Sequence, residues 1–281
     1  MIKAEIIADS INLSGNRLTT FLLTYPRYIH AELLRHRMLS HCVSSSRAIP
    51  VWKLLGAAWK EPVYPIYWGA NQAGMQAAHE IPWHRQVLAR AIWRLASLFS
   101  LCAAWLLSKI NVHKQIANRV LEPYIHITEI VSGTEWGNLF NLRCHPDAQP
   151  EFQSLAYQML QEYANSVPIP LKDGEWHLPF SKYCGGLTQE EKLKVCTARC
   201  ARTSYVNFDG SFSKEKDFEL HDRLLTSGHF SPFEFCAQAC QKSETSCSSS
   251  NFVGWKQYRK FLTGENQSSF DFAKLMCRRK F

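Results

Sequence analysis

The sequence predicts an α/β chain of the α+β kind, a mixed β-sheet flanked by helices in a single domain. Three observations predict it. Two β-type runs open the chain, Lys3–Ala8 and Leu18–Tyr25, joined by a Ser14-Gly15-Asn16 turn. Apolar residues then recur at helical spacing along most of the chain. The 281 residues are 46% hydrophobic and 20% charged, enough for a sizeable core and unlike a disordered chain.

The elements follow in order. Pro26 ends the second strand and can open a helix to about Leu39, where Ile29 with Leu33 and Leu34 with Met38 pair four apart. Ser40–Ser46 reads as a serine-rich turn, and residues 60–84, rich in Pro, Trp and Tyr, as an ordered loop. Helices are predicted over 83–111, 112–121, 136–144 and 148–164, with 168–186 as a connector. Thr188 with Glu191 three residues on is a capping-box pattern. Another helix spans 215–227, closed by Gly228. Ser231-Pro232-Phe233-Glu234 reads as a turn entering a strand, and 240–250 as a loop. Val87–Leu107 is apolar, but Arg90 and Arg94 interrupt it and the uncharged part, Leu95–Leu107, has only 13 residues. That is too short to span a bilayer and predicts a buried core helix, with no membrane partner.

The net charge of +8 favours an anionic partner such as a nucleotide, a nucleic acid or a phosphorylated small molecule. The Arg and Trp residues are dispersed rather than set along one stripe, which argues against nucleic acid. No secretory signal opens the sequence, so the ten cysteines are predicted to be mostly reduced and the compartment cytoplasmic. Cys196-x3-Cys200 and Cys236-x3-Cys240 lack the two-residue gaps usual in structural zinc sites, and no metal is predicted. Cys42 and Cys144 lie nearest the charged clusters, but neither has a neighbour that marks it as a nucleophile.

Two constellations carry chemistry. Glu32, Arg35 and His36 share a helix face at i, i+3 and i+4, with Arg37, Ser44, Ser45, Ser46 and Arg47 following. Guanidinium forks and hydroxyls suit an anionic, oxygen-rich ligand; the alternative is a solvated basic helix end beside a serine loop. In the second, Asn138 and Asn141 lie one turn apart before Arg143 and His145. Amides with an arginine can read the edge of a heterocycle, or the cations can simply favour a helix C-terminus.

Arg35-His36-Arg37 with Ser45 resembles the Arg-His-Arg-x7-Ser signature of flavin-dependent thymidylate synthases. Asn138–Glu151 is similar to that family's Leu-Arg helix and Ala-Gln segment. Arg202–Tyr205 and Gly228–Glu234 are similar to its opening region, here about 200 residues after the signature. The order implies a circular permutation, with 187–281 as the permuted segment and 50–110 as an insertion in one domain. The resemblance implies methylation of dUMP at C5, with methylenetetrahydrofolate as carbon donor, FAD as hydride carrier and NADPH as reductant. It also implies a homotetramer. Arg143 would stabilise the electron-rich uracil ring. Glu32, Arg35, Ser44, Ser45, Ser46, Arg47 and Arg119 would join Arg143 in binding the nucleotide. Arg35, His36, Arg37 and Asn138 would hold the flavin. The chain departs from the pattern with Glu32 for Gln, Cys42-Val43 for Asn-Glu, Phe235 for His, and Ser132–Thr134 for Asn-x-Arg. The rivals are a C5 methylase or hydroxymethylase of another pyrimidine nucleotide, and a non-catalytic nucleotide- or nucleic-acid-binding relative.

Overall fold

In the computed structural model, residues 1–203, 213–240, 248–249, 251–265 and 276–277 are described. Ser204 and Tyr205 of the Arg202–Tyr205 motif, and Cys247, lie outside them. The predicted opening hairpin forms, with longer arms: β1 (Lys3–Asn12) pairs antiparallel with β2 (Arg17–Pro26). Gly15 sits in the turn at φ 83°, a conformation that glycine adopts without steric cost.

After Pro26 the expected long helix is absent. A 3-10 turn (Arg27–Ile29) leads into a single helical turn, α1 (His30–Leu33), and turns continue to Leu39. The apolar pairs that suggested a helix serve this compact corner instead, with Ile29 and Leu33 buried and Leu34 and Met38 exposed. Ser40–Ser46 is likewise not all turn: β3 (Ser40–Val43) pairs with β4 (His126–Gly133), a strand the sequence did not advertise. The sheet order is β3-β4-β2-β1 followed by β5 (Ile169–Leu171), which runs parallel to β1. The sheet is therefore mixed, as predicted.

Side chains alternate across this sheet. Phe21, Leu23, Tyr25 and Val131 face α5 (Gly137–Arg143) and α6 (Pro150–Asn165) through Leu139, Phe152, Leu155 and Met159. Between β3 and these helices the chain forms α2 (Val51–Lys60), α3 (Trp83–Lys109) and α4 (Lys114–Ala117). On the opposite face of the sheet, Leu22 and Ile130 meet Cys42, Phe180, Cys200 and Phe235. Cys200 lies on α7 (Gln189–Arg202), which begins with the predicted capping box at Thr188 and packs on α8 (Lys214–Thr226). A small sheet orders β10 (Trp255–Gln257), β7 (Ala237–Ala239) and β6 (Trp176–His177), beside a β8 (Ser248–Ser249) and β9 (Phe252–Val253) pair. The connector 168–186 thus contains two strands. Cys240 is disulfide-bonded, an exception to the expected reduced thiols; the other eight described cysteines are free.

The expectation of a buried core helix at 83–111 is overturned. The helix forms, but only Ser97, Leu101 and Ala104 are buried. These small or slim residues let α3 approach α2 and the 3-10 segment Asn118–Tyr124, joining Leu54, Ala58, Leu121 and Ile125. The rest of the apolar surface faces outward: Leu88, Ile92, Leu95, Phe99 and Leu106 are at least half exposed, Phe99 at 69%. By length and composition alone α3 meets the threshold for a membrane-crossing helix.

Candidate functional site

The corner between β2 and β3 brings part of the signature against the end of α5. Arg143 occupies the last turn of α5 and turns inward. Its Nη1 donates to Glu32 Oε2 at 3.1 Å and its Nε to His36 Nε2 at 3.0 Å. Its guanidinium lies 4.6 Å from the centre of the Phe152 ring. Three different partners thus hold the fork: a carboxylate, an imidazole acceptor and a π-face. Glu32 and His36 meet here although α1 ends before Arg35, because turns close the chain from Glu32 to Arg35 and from Leu33 to His36. Arg35 does not join them. It is exposed, as are Arg37 and Asn138.

His36 is buried, and burial followed by the nearby Arg143 charge pushes its pKa down to about 4. It is neutral at pH 7 and accepts the Arg143 hydrogen bond. His177, wholly buried between Ser10 and Thr20, is pushed down by burial to about 3. The unfolded chain takes up both protons near pH 6.5, whereas the folded chain takes them up only near 4 and 3. Lowering the pH through this window therefore favours unfolding, by about 2 kcal/mol per histidine between pH 7 and 5. Urea denaturation at the two pH values checks this, and equal midpoints would contradict it.

A second group lies beyond β3 along the chain. Ser46 Oγ donates to Glu122 Oε1 at 2.8 Å, and Arg119 Nη1 reaches the same oxygen at 2.7 Å. Arg27 Nε lies 3.8 Å from Glu122 Oε2. Asn118 Nδ2 pins the loop through the carbonyls of Ser46 and Ile49. Ser44 exchanges hydrogen bonds with Thr128, and Arg47 is exposed. Ser45 is half-buried in the same loop. Sequence reading missed Arg27, Glu122 and Phe152. Only Glu122 carried a local signal, its i, i+3 spacing from Arg119.

Between the two groups lies a buried network that the sequence also hid. Glu129 on β4 is fully buried and bonds His41 Nδ1 at 2.9 Å and the Tyr25 hydroxyl, which also meets His30. Burial alone would raise its pKa, but bonds from His30, His41 and Tyr25 outweigh that and hold it near 2. Cys42 and Phe235, two positions where the chain departs from the family pattern, pack in one apolar cluster with Ile130, Phe180 and Cys200. Both departures thus fall in the same contact between the sheet and the C-terminal segment. Phe235 follows a 3-10 turn (Ser231–Glu234) and precedes β7, as the Ser-Pro-Phe-Glu motif predicted. Among the described residues no three His, Cys, Asp or Glu side chains gather as a metal site.

The sequence pattern of the thymidylate synthase complementing protein family matches residues 18–169. The chain belongs to that family. The matched span contains every candidate site residue. No curated protein matches the sequence. Among solved structures, the chain is similar to a UMP/dUMP methylase, PolB, from Streptomyces cacaoi, bound with 5-Br dUMP. Identity is 16% and the TM-score 0.45, over 58% of this chain and 90% of that one. It is also similar to thymidylate synthase X from Helicobacter pylori with FAD and dUMP, at 22% identity and a TM-score of 0.35, over 52% and 67%.

Proposed function

We propose that the protein is a flavin-dependent thymidylate synthase that methylates dUMP at C5. The observation that carries this reading is the pinning of Arg143 by Glu32 and His36, inside a chain whose family match spans both arginine groups. Uracil C5 becomes nucleophilic as charge builds on N3 and the ring carbonyls. A guanidinium fixed in advance stabilises that charge without reorganising. Glu32 and His36 act as positioning residues for it. Arg47 and Arg119, with Ser44, Ser45 and Ser46, supply cations and hydroxyls for the nucleotide phosphate, where Arg27 adds a further charge.

The donor set also fits a flavin. Arg35, Arg37 and Asn138 are exposed and offer guanidinium and amide donors to phosphates and to a ring edge. When bound, FAD reduced by NADPH supplies the hydride and methylenetetrahydrofolate the carbon. Mixing the protein with FAD should give a bound, yellow species that NADPH bleaches. Failure to bind added FAD would remove the flavin from this account.

We further infer a homotetramer whose sites draw residues from more than one chain. Within one chain the arginines form two groups, and Arg35, Arg37, Arg47 and Asn138 face outward. The outward stripe of α3 supports the assembly. Leu88, Ile92, Leu95, Phe99, Cys102 and Leu106 alternate four and three residues apart, the spacing of a helix-pairing seam. We take 187–281 as a permuted segment of the same domain, since Cys200 and Phe235 complete a cluster begun by Cys42 and Ile130.

A further inference from the structure

Three cysteines that the methylation reading does not use meet in the C-terminal segment. Cys184 Sγ lies 3.5 Å from Cys196 Sγ, and Cys196 also bonds Cys236. Cys184 closes the 3-10 turn Ser181–Tyr183, Cys196 sits on α7, and Cys236 immediately precedes β7. All three are free thiols in one apolar cluster with Leu193 and Val195.

Their surroundings are unequal. Cys196 and Cys236 are wholly buried, whereas Cys184 is 4% exposed and the next two residues, Gly185 and Gly186, are exposed. Gly186 takes φ 73°, so Cys184 lies beside a glycine turn that sets no side chain in the way of a small reagent. Lys192, Cys196 and Arg199 recur at i, i+4 and i+7 and so share one face of α7. Arg199 is fixed beside this turn: its Nε donates to Asp217 Oδ2 at 3.0 Å, and its guanidinium lies 4.2 Å from the centre of the Tyr183 ring. The bond from Cys196, helped by the Lys192 and Arg199 charges, outweighs burial and holds the Cys184 thiol below its ordinary pKa. The bonds to Cys184 and Cys236 push Cys196 well up, and burial pushes up Cys144 and Cys200. One sulfur of the close pair is thus suited to carry charge and the other to keep its proton. Reactive thiols differ from inert buried ones in this way, and a second thiol within reach marks a pair that can be oxidised reversibly.

We propose that Cys184 is a site of modification by hydrogen peroxide, with Cys196 as its resolving thiol. The Cys184 thiolate attacks one peroxide oxygen, the O–O bond breaks, and the hydroxide that leaves takes up a proton as water. Cys196 sulfur then attacks the Cys184 sulfenic acid. An S–S bond forms, the S–O bond breaks, and the hydroxide leaves with the Cys196 proton as a second water. Two thiols thereby give two electrons to one peroxide. The sulfurs must close by about 1.5 Å to reach the ~2.05 Å of a disulfide, and the Gly185-Gly186 turn gives the backbone freedom to do so.

Peptide mapping of the full chain after exposure to hydrogen peroxide tests this site without flavin, nucleotide or folate. In the wild-type protein, tryptic peptides 183–192 and 195–199 should become disulfide-linked and separate again under dithiothreitol. Dimedone should label Cys184 in Cys196→Ser. In Cys184→Ser, Cys196 should stay unlabelled and oxidise more slowly by roughly tenfold or more. The wild-type mapping depends on no variant, and circular dichroism checks the fold of both serine variants. No link between Cys184 and Cys196 at a peroxide dose that oxidises free glutathione would overturn the proposal. A link between Cys196 and Cys236 in its place, or dimedone on Cys196 in Cys184→Ser, would do the same.

Discussion

Replacing Arg143 by alanine lowers turnover by about 10²–10³, the usual loss when a preorganised donor is removed from a charge-developing transition state. The fold survives the change. Arg143 closes α5 at its exposed end, and what it loses within the protein is one carboxylate, one imidazole and a stacked ring. Arg143→Lys should recover little, because an ammonium cannot donate at once to Glu32, His36 and a ring edge through a planar fork. Glu32→Gln gives the contrasting result. It keeps an acceptor for Arg143 but releases the guanidinium from its carboxylate, so nucleotide binding should tighten or hold while the Arg143→Ala loss stays large. Steady-state kinetics on the three variants separates these outcomes. A fully active Arg143→Ala enzyme would remove this residue from the mechanism.

The second large effect concerns α3. Its outward residues Leu88, Ile92, Leu95, Phe99 and Leu106 are each at least half exposed and follow one another along one face, a contiguous apolar stripe of the kind that marks an interaction surface. The pair Leu95→Glu and Phe99→Glu places two charges in the middle of the seam. Light scattering should then show the proposed tetramer falling to smaller species, and methylation should be lost if the site is shared between chains as proposed. The intact α2–α3 contact at Ser97, Leu101 and Ala104 lies on the other side of the helix and keeps the chain folded. Cys102 provides an independent reading on the same stripe, since mild oxidation should link two chains through it. A wild-type protein that is monomeric in detergent-free buffer would contradict the seam.

The parts of this molecule that sequence reading found were those governed by local rules. The hairpin turn at Gly15, the capping box at Thr188 and the helix stop at Gly228 each depend on a few neighbouring residues. What it missed depends on distant partners. β4 reads poorly because Glu129 interrupts its apolar run, and that residue is tolerated only where Tyr25, His30 and His41 converge on it. The helix expected after Pro26 fails because β3 must turn back to pair with β4. The 83–111 helix was placed correctly, but its apolar stretch was assigned to the core when most of it faces outward. At the site, the signature residues were legible and their division was not. Only three-dimensional placement shows that Glu32, His36 and Arg143 form one group while Ser46 and Arg119 form another around Glu122.

Release of tritium from C5-labelled dUMP is the most direct measurement of the central claim. With FAD, NADPH and methylenetetrahydrofolate present, tritium should appear in water, in step with dTMP, and omitting the folate should abolish dTMP. No release from dUMP, with release from a cytosine or ribonucleotide counterpart under the same conditions, would assign the protein to another C5 modification. No release from any of them would contradict the enzymatic reading itself.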